Sequence, residues 1–197
     1  MAKEKKEQKY YNGIAVDSQE EVMTIMYFEE LIEAGYVEKI QRADTFSLSP
    51  KVVNQYSEVV QMKTKLKEVE KNQVLLHEHV YTPEFTVDFT HAGKTLFVDR
   101  IDSKKKIVTP FIGDYRIYIE VKPDFDQNNM TRLFKINQKW MWDKYSLFVN
   151  LVHPHKLFEE TFTPKAYLVN ASGKKRVIHW QVRTLEEYIV SKVNKVV

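Results

Sequence analysis

The chain has 197 residues, of which 43% are apolar and 13% aromatic, enough to build a core and to exclude global disorder. It contains no cysteine, which rules out a disulfide framework, a thiolate nucleophile and a cysteine zinc site. A net charge of +3 is too small for the whole-chain field to argue for a polyanionic partner, so the distribution of charge matters more than its sum. The apolar runs are far shorter than a membrane span, and the charged start Met1–Lys9 lacks the apolar stretch of a signal peptide; the expectation is a soluble, cytoplasmic protein with no membrane contact. The length predicts one domain, with a flexible basic arm over 1–12, a core over 13–155 and a hairpin-and-helix extension over 156–197.

In chain order, Ser18 followed by Glu21 matches a capping box, and Val22, Ile25, Met26 and Ile32 recur at helical spacing up to Gly35, a helix-ending residue. Tyr36–Ile40 and Thr45–Leu48 predict short extended pieces, stopped by Pro50. Residues 51–79 read two ways. Val52, Val53, Tyr56, Val59 and Val60 suit a helix, while Val60, Met62, Thr64 and Leu66 alternate like a strand. The favoured reading is a short helix, then a long hairpin turning at Lys71-Asn72-Gln73. An acidic strand Val80–Phe89 follows, then a turn at His91-Ala92-Gly93 and a strand Thr95–Ile101. A lysine-rich turn 103–106 leads to a strand around Tyr115–Val121. Thr131–Lys144 predicts a helix with an apolar stripe of Leu133, Phe134, Ile136, Trp140 and Met141, and Ser146–Val152 a buried strand. Lys165–Asn170 and Arg176–Trp180 predict a hairpin about Ala171-Ser172-Gly173. Thr184 with Glu187 offers a second capping box, opening a terminal helix through Lys192. The pattern is mixed α and β without regular βαβ alternation.

Tyr118-Ile119-Glu120-Val121-Lys122-Pro123 carries the sharpest chemical signal. Side chains alternate along a strand, so Glu120 and Lys122 share one face while Ile119 and Val121 share the other. A carboxylate and an ammonium side by side at the end of an apolar strand can hold a divalent ion and a polarised water together. Mg²⁺ needs only one or two carboxylates plus waters and substrate oxygens. Glu84 in the upstream acidic strand could supply the second carboxylate, with Asp88 as its rival and the Val121 carbonyl as a further ligand. Lys122 would orient or deprotonate the attacking water, or stabilise a charged transition state. Basic clusters occur at Lys3–Lys6, at Lys104-Lys105-Lys106 and at Lys174-Lys175-Arg176; the latter two fall in turns, where they could touch phosphates. The duller readings are a helix cap for Glu21, an exposed strand carboxylate for Glu84 or Asp88, and a surface salt pair for Glu120 and Lys122. His153 and His155 have ligand-like spacing but read as a loop, and Trp140 and Trp142 read as packing.

Pro83-Glu84 and Glu120-Val121-Lys122 together resemble the signature of the PD-(D/E)XK nuclease superfamily, with glutamate at the usual aspartate and a long gap that implies an inserted hairpin. Tyr81-Thr82-Pro83-Glu84-Phe85 is similar to a motif of transposon-end endonucleases and related phage nuclease-like proteins. The opening Gly13-Ile14-Ala15-Val16-Asp17-Ser18-Gln19-Glu20-Glu21 is similar to theirs too, so the resemblance spans roughly residues 13–150. It implies a restriction-endonuclease-like core: an α/β fold with a mixed β-sheet flanked by helices, here with extra β-hairpins. It also implies a Mg²⁺- or Mn²⁺-dependent DNA endonuclease of phage or mobile-element origin. Its helical glutamate falls on Glu21, and its basic helix facing DNA falls on Lys135 and Lys139. A structure-specific, junction-resolvase-like enzyme would favour a homodimer. A non-catalytic DNA-binding or assembly module on the same fold is the alternative, motivated by glutamate at position 84.

Overall fold

The computed structural model describes residues 8–100, 107–109, 115–124 and 130–193. The chain divides into two compact units, Met1–Asp44 with Pro83–Val197, and Thr45–Thr82. The sequence reading kept the second stretch within a single core.

The larger unit opens with strands β1 (Lys9–Tyr11) and β2 (Ile14–Val16), an antiparallel ribbon turning at Asn12 and Gly13, both at positive φ. Part of the expected free arm is therefore paired strand. Helix α1 (Gln19–Glu33) starts where the capping box predicts: the Glu21 N–H donates to Ser18 Oγ at 3.1 Å, and Glu21 Oε2 accepts from the Asp17 N–H. It ends in a Schellman motif, with Gly35 at φ +78° and the Tyr36 N–H donating to the Leu31 carbonyl at 2.8 Å. Met23, Ile25, Tyr27, Phe28 and Leu31 are all buried, so α1 is a core helix rather than a surface one. Strand β3 (Val37–Arg42) follows it.

The smaller unit holds β4 (Phe46–Ser49), β5 (Val52–Gln61), β6 (Leu66–Leu76) and β7 (His79–Tyr81), with β4 paired to β7 and β5 to β6, all antiparallel. No helix forms over 51–60. Val52, Val53, Val59 and Val60 are β-branched, which restricts their rotamers in a helix and favours the strand their spacing disguised. The hairpin turns at residues 62–65, where the Met62 N–H donates to the Lys65 carbonyl at 2.8 Å, and not at Lys71–Gln73, which sits mid-strand opposite Tyr56, Gln55 and Asn54.

Back in the larger unit come β8 (Phe85–Phe89), α2 (His91–Phe97), β9 (Asp99–Arg100), β10 (Val108–Thr109) and β11 (Arg116–Val121). Then follow α3 (Met130–Tyr145), β12 (Val149–Val152), α4 (Pro154–Glu160), a 3-10 turn (Lys165–Leu168) and α5 (Leu185–Val193). A four-stranded mixed sheet runs in the order β12-β11-β8-β3; β11 and β12 are parallel, joined through α3, and the other neighbours are antiparallel. Ile40, Phe85, Val87, Phe89, Ile117, Ile119 and Val121 turn one set of side chains into a cluster with α1, α4 and α5, where Tyr27 stacks on Phe162 at 4.4 Å. Each such aromatic or aliphatic side chain contributes about 1.5–3 kcal/mol through burial. The fold is thus a mixed α/β arrangement with a mixed sheet flanked by helices, and no helix among the described residues is long and apolar enough to cross a membrane.

Several elements depart from the sequence reading. The single acidic strand 80–89 is broken at Thr82–Glu84, because Pro83 cannot donate to a ladder. The expected turn at 91–93 and the start of the expected strand are helix α2: Thr90 Oγ1 accepts from the Gly93 N–H at 3.1 Å and caps it. Gly93 is there for a close approach rather than a turn, since a Cβ on it would stand 1.7 Å from the Tyr36 carbonyl oxygen. Gly93→Ala should therefore cost at least about 1–3 kcal/mol, the usual scale of overpacking; an unchanged urea midpoint would contradict this contact. On α3 the buried residues are Phe134, Asn137 and Met141, while Leu133, Ile136 and Trp140 are exposed, so the stripe is narrower than predicted. The hairpin about 171–173 keeps its turn but shrinks to one bridge, Val169 with Lys175, behind the 3-10 turn. The second capping box is present, with Glu187 accepting from the Thr184 N–H at 2.8 Å. His153 and His155 flank Pro154 at the start of α4, where proline is favoured at the first helical position.

Candidate active site

Three carboxylates come together where α1 begins and β8 and β11 meet. The register pairs Ile119 with Phe85 and Phe85 with Arg42, so Glu84 and Glu120 flank the same end of the β8–β11 ladder. Glu21 is held there from the side by the first turn of α1, whose capping box orients its carboxylate. Arg42, at the end of β3, spans two of the three: its guanidinium donates to Glu84 Oε2 at 2.6 Å and also pairs with Glu21. The same guanidinium lies 4.8 Å over the Phe85 ring and donates through Nε to the Ala15 carbonyl, which fixes its plane. Lys122 Nζ lies 2.6 Å from Glu120 Oε1, with both side chains largely buried, and the Lys122 N–H donates to the Val152 carbonyl. A surface salt pair does not describe this contact.

Electrostatics agree with the geometry. Burial pushes Glu84 above the usual carboxylate range, repulsion from Glu21 and Glu120 adds to it, and Arg42 offsets only part of the shift. Three carboxylates that repel one another are hard oxygen donors of the kind Mg²⁺ or Mn²⁺ takes, so the residue chemistry fits such an ion. As the side chains stand, among the described residues no group of three or more histidine, aspartate or glutamate side chains is disposed to hold a metal. The carboxylates are instead turned onto Arg42 and Lys122. Val121, whose carbonyl is the further candidate ligand, closes β11 between Glu120 and Lys122.

Asp88 is not brought to this cluster. It accepts two hydrogen bonds from Arg116, at 2.7 and 2.9 Å, and pairs with Lys39 at 3.6 Å. Its register partner Arg116 stands four residues before Glu120, roughly 13 Å along the strand. Hydrogen bonds from Arg116 hold the Asp88 carboxyl below its ordinary value. The two carboxylates therefore predict opposite pH signatures when no divalent metal is added. Glu84, raised in the fold, removes stability as pH rises from the ordinary carboxylate range through its raised value, so Glu84→Gln should gain thermal stability over the native chain as pH rises. Asp88, depressed in the fold, adds stability above its unfolded value and loses it as pH falls through the folded one. Asp88→Asn should therefore be destabilised at neutral pH and approach the native chain in acid. Thermal unfolding from pH 3 to 8 reads both, and parallel curves for the two variants would contradict the assignment.

Of the basic residues, Lys135 and Lys139 are exposed on α3 and line an open concavity of about 510 Å³ with Arg132, at spacings that place all three on neighbouring turns. Lys104, Lys105 and Lys106 lie outside the described residues. Trp140 and Trp142 are both 41% exposed, and each keeps an interaction within the protein. The histidines are engaged within the protein: His153 Nδ1 is 2.8 Å from the Pro123 carbonyl, and His155 lies between Asp124 and Tyr167. Arg42 and Arg132 were missed by sequence reading. For Arg42 the available signal was charge balance, since carboxylates gathered by a buried site require a cation. For Arg132 it was the helical spacing to Lys135 and Lys139. The chain matches no family model, no curated protein and no solved structure in the comparisons made.

Proposed function

We propose that the protein is a divalent-metal-dependent endonuclease acting on DNA, of the PD-(D/E)XK type that its motifs resemble. The observation that carries this reading is the meeting of Glu21, Glu84 and Glu120 beside Lys122 at one end of the β8–β11 ladder. The mixed, helix-flanked sheet is compatible with the restriction-endonuclease-like core that those motifs imply. Glu84 and Glu120 would hold the ion, with Glu21 supporting from α1 and the Val121 carbonyl within the same strand end. A bound Mg²⁺ or Mn²⁺ supplies charge neutralisation at the phosphoryl oxygens and acidifies a water. The chain's own part is then orientation and proton control. Lys122 would donate from Nζ toward the reacting oxygens or position the attacking water, aimed by its 2.6 Å contact with Glu120. Arg42 offsets part of the charge of Glu21 and Glu84, with which it pairs. The exposed stripe of Arg132, Lys135 and Lys139 suits contact with the phosphate backbone.

A second reading has one observation in its favour. With Arg42 already pairing Glu21 and Glu84, the cluster could be a structural ion network in a DNA-binding or assembly module. Incubation with linear, flapped, branched and single-stranded DNA, and with duplex RNA, each with Mg²⁺, with Mn²⁺ and with chelator, separates the two. Metal-dependent cutting of at least one DNA is expected. Binding without cutting under every condition would favour the module. Preference for branched DNA together with a dimer in sedimentation would specify a junction-resolvase-like enzyme.

A further inference from the structure

The hairpin β5–β6 is a long two-stranded ribbon with both faces largely exposed. Ten residues of β5 span roughly 33 Å. A two-stranded ribbon is marginal in water by itself, and this one exposes Val59 at 62%, Met62 at 48% and Leu66 at 65% near its tip. At the turn itself, around Met62 and Leu66, the charge is one-sided, while Val59 one step back stands opposite Glu68. Lys63, Lys65 and Lys67 are exposed, no carboxylate occurs from Val59 through Lys67, and among the described residues none forms an ion pair with the three lysines. Just behind the tip the ribbon turns acidic, with Glu58, Glu68 and Glu70 against Lys71, which pairs with Glu58.

We propose that this tip is a nucleic-acid-contacting element in its own right, seating in a groove of duplex DNA with Lys63, Lys65 and Lys67 on phosphates and Met62 and Leu66 against the base edges. The major groove, about 12 Å wide, admits a two-stranded ribbon. Lysines flanking an apolar tip match its negative walls and less polar floor. A two-fold copy of the chain fits less well, because an isologous contact at the tip sets the same lysines beside their own counterparts. None of these tip residues belongs to the carboxylate cluster, and the choice of DNA over another polyanion rests on the proposed nuclease reading.

The test is anisotropy of a labelled duplex in chelator, so that cleavage plays no part. Lys63→Gln, Lys65→Gln and Lys67→Gln together should weaken binding at least about tenfold at low salt and make the plot of log affinity against log salt shallower by about 2.7, from three phosphate contacts. Met62→Ser with Leu66→Ser should weaken binding with the salt slope unchanged. Native affinity and slope in the triple lysine variant would overturn the proposal. If, in addition, the Met62/Leu66 variant lost a native dimer in sedimentation, the tip would belong to a second copy. Absence of cutting on every substrate would defeat the nuclease reading while leaving this result standing. Metal-dependent cutting with unaltered binding by the lysine variant would do the reverse.

Discussion

Glu120→Ala is expected to reduce metal-dependent DNA cleavage by at least about 1,000-fold, because a metal-holding carboxylate supports several kcal/mol of transition-state stabilisation. Glu120 is buried at the end of β11, and its charge is felt by Glu84 across the ladder. Removing it should also weaken Mn²⁺ binding, read by calorimetry on the same preparation. The effect on folding has two opposed parts. Repulsion among the three carboxylates falls, but Lys122 loses its 2.6 Å partner in a largely buried setting, and orphaning one member of such a pair can cost about 3–5 kcal/mol when it is fully enclosed. Glu120→Gln keeps the shape and a hydrogen-bond acceptor, so it is the control for folding. Native cleavage by purified, folded Glu120→Gln and Glu120→Ala would remove the enzyme from consideration.

Lys122→Met should slow single-turnover cleavage by at least about 100-fold while changing DNA affinity little, since an ammonium acting on the transition state contributes to turnover rather than binding. Methionine preserves the apolar stem, which matters for a side chain only 15% exposed. Because Lys122 also satisfies Glu120, the variant should lose stability, and that loss has to be separated from catalysis. Lys122→Arg does so: it keeps a charge beside Glu120 but cannot give up a proton and places its donors differently. A catalytic lysine predicts slow cutting in both variants, with the stability loss confined to Lys122→Met. Native cutting by Lys122→Arg, together with a deficit in Lys122→Met that follows its unfolding, would reduce Lys122 to a structural partner.

The segments that the sequence determined by itself are those held by neighbours in the chain. Both capping boxes, the Gly35 helix end, β11, and the extent of α3 to within a residue or two of its predicted bounds follow from interactions within a few residues, which a linear reading can see. Where local signals competed, tertiary context decided. The valines of β5 carry a helical spacing but pair across a hairpin, and Gly93, a turn former on paper, is a contact point between α2 and the Tyr36 carbonyl. The candidate site divides the same way. Glu120 and Lys122 share a face because strands alternate, so their pairing needed no fold. Whether Glu84 or Asp88 stands beside Glu120 was open in the sequence, because both lie in one acidic stretch. The register of β8 against β11 sets Asp88 opposite Arg116 and leaves Glu84 near Glu120. Arg42 belongs wholly to the tertiary structure: it joins α1, β3 and the start of β8, and its Glu21 and Glu84 partners lie 21 and 42 residues away in the chain. Charges collected from distant segments reveal their counterions only when the backbone has brought them together, because a Coulomb interaction depends on separation in space and not along the chain.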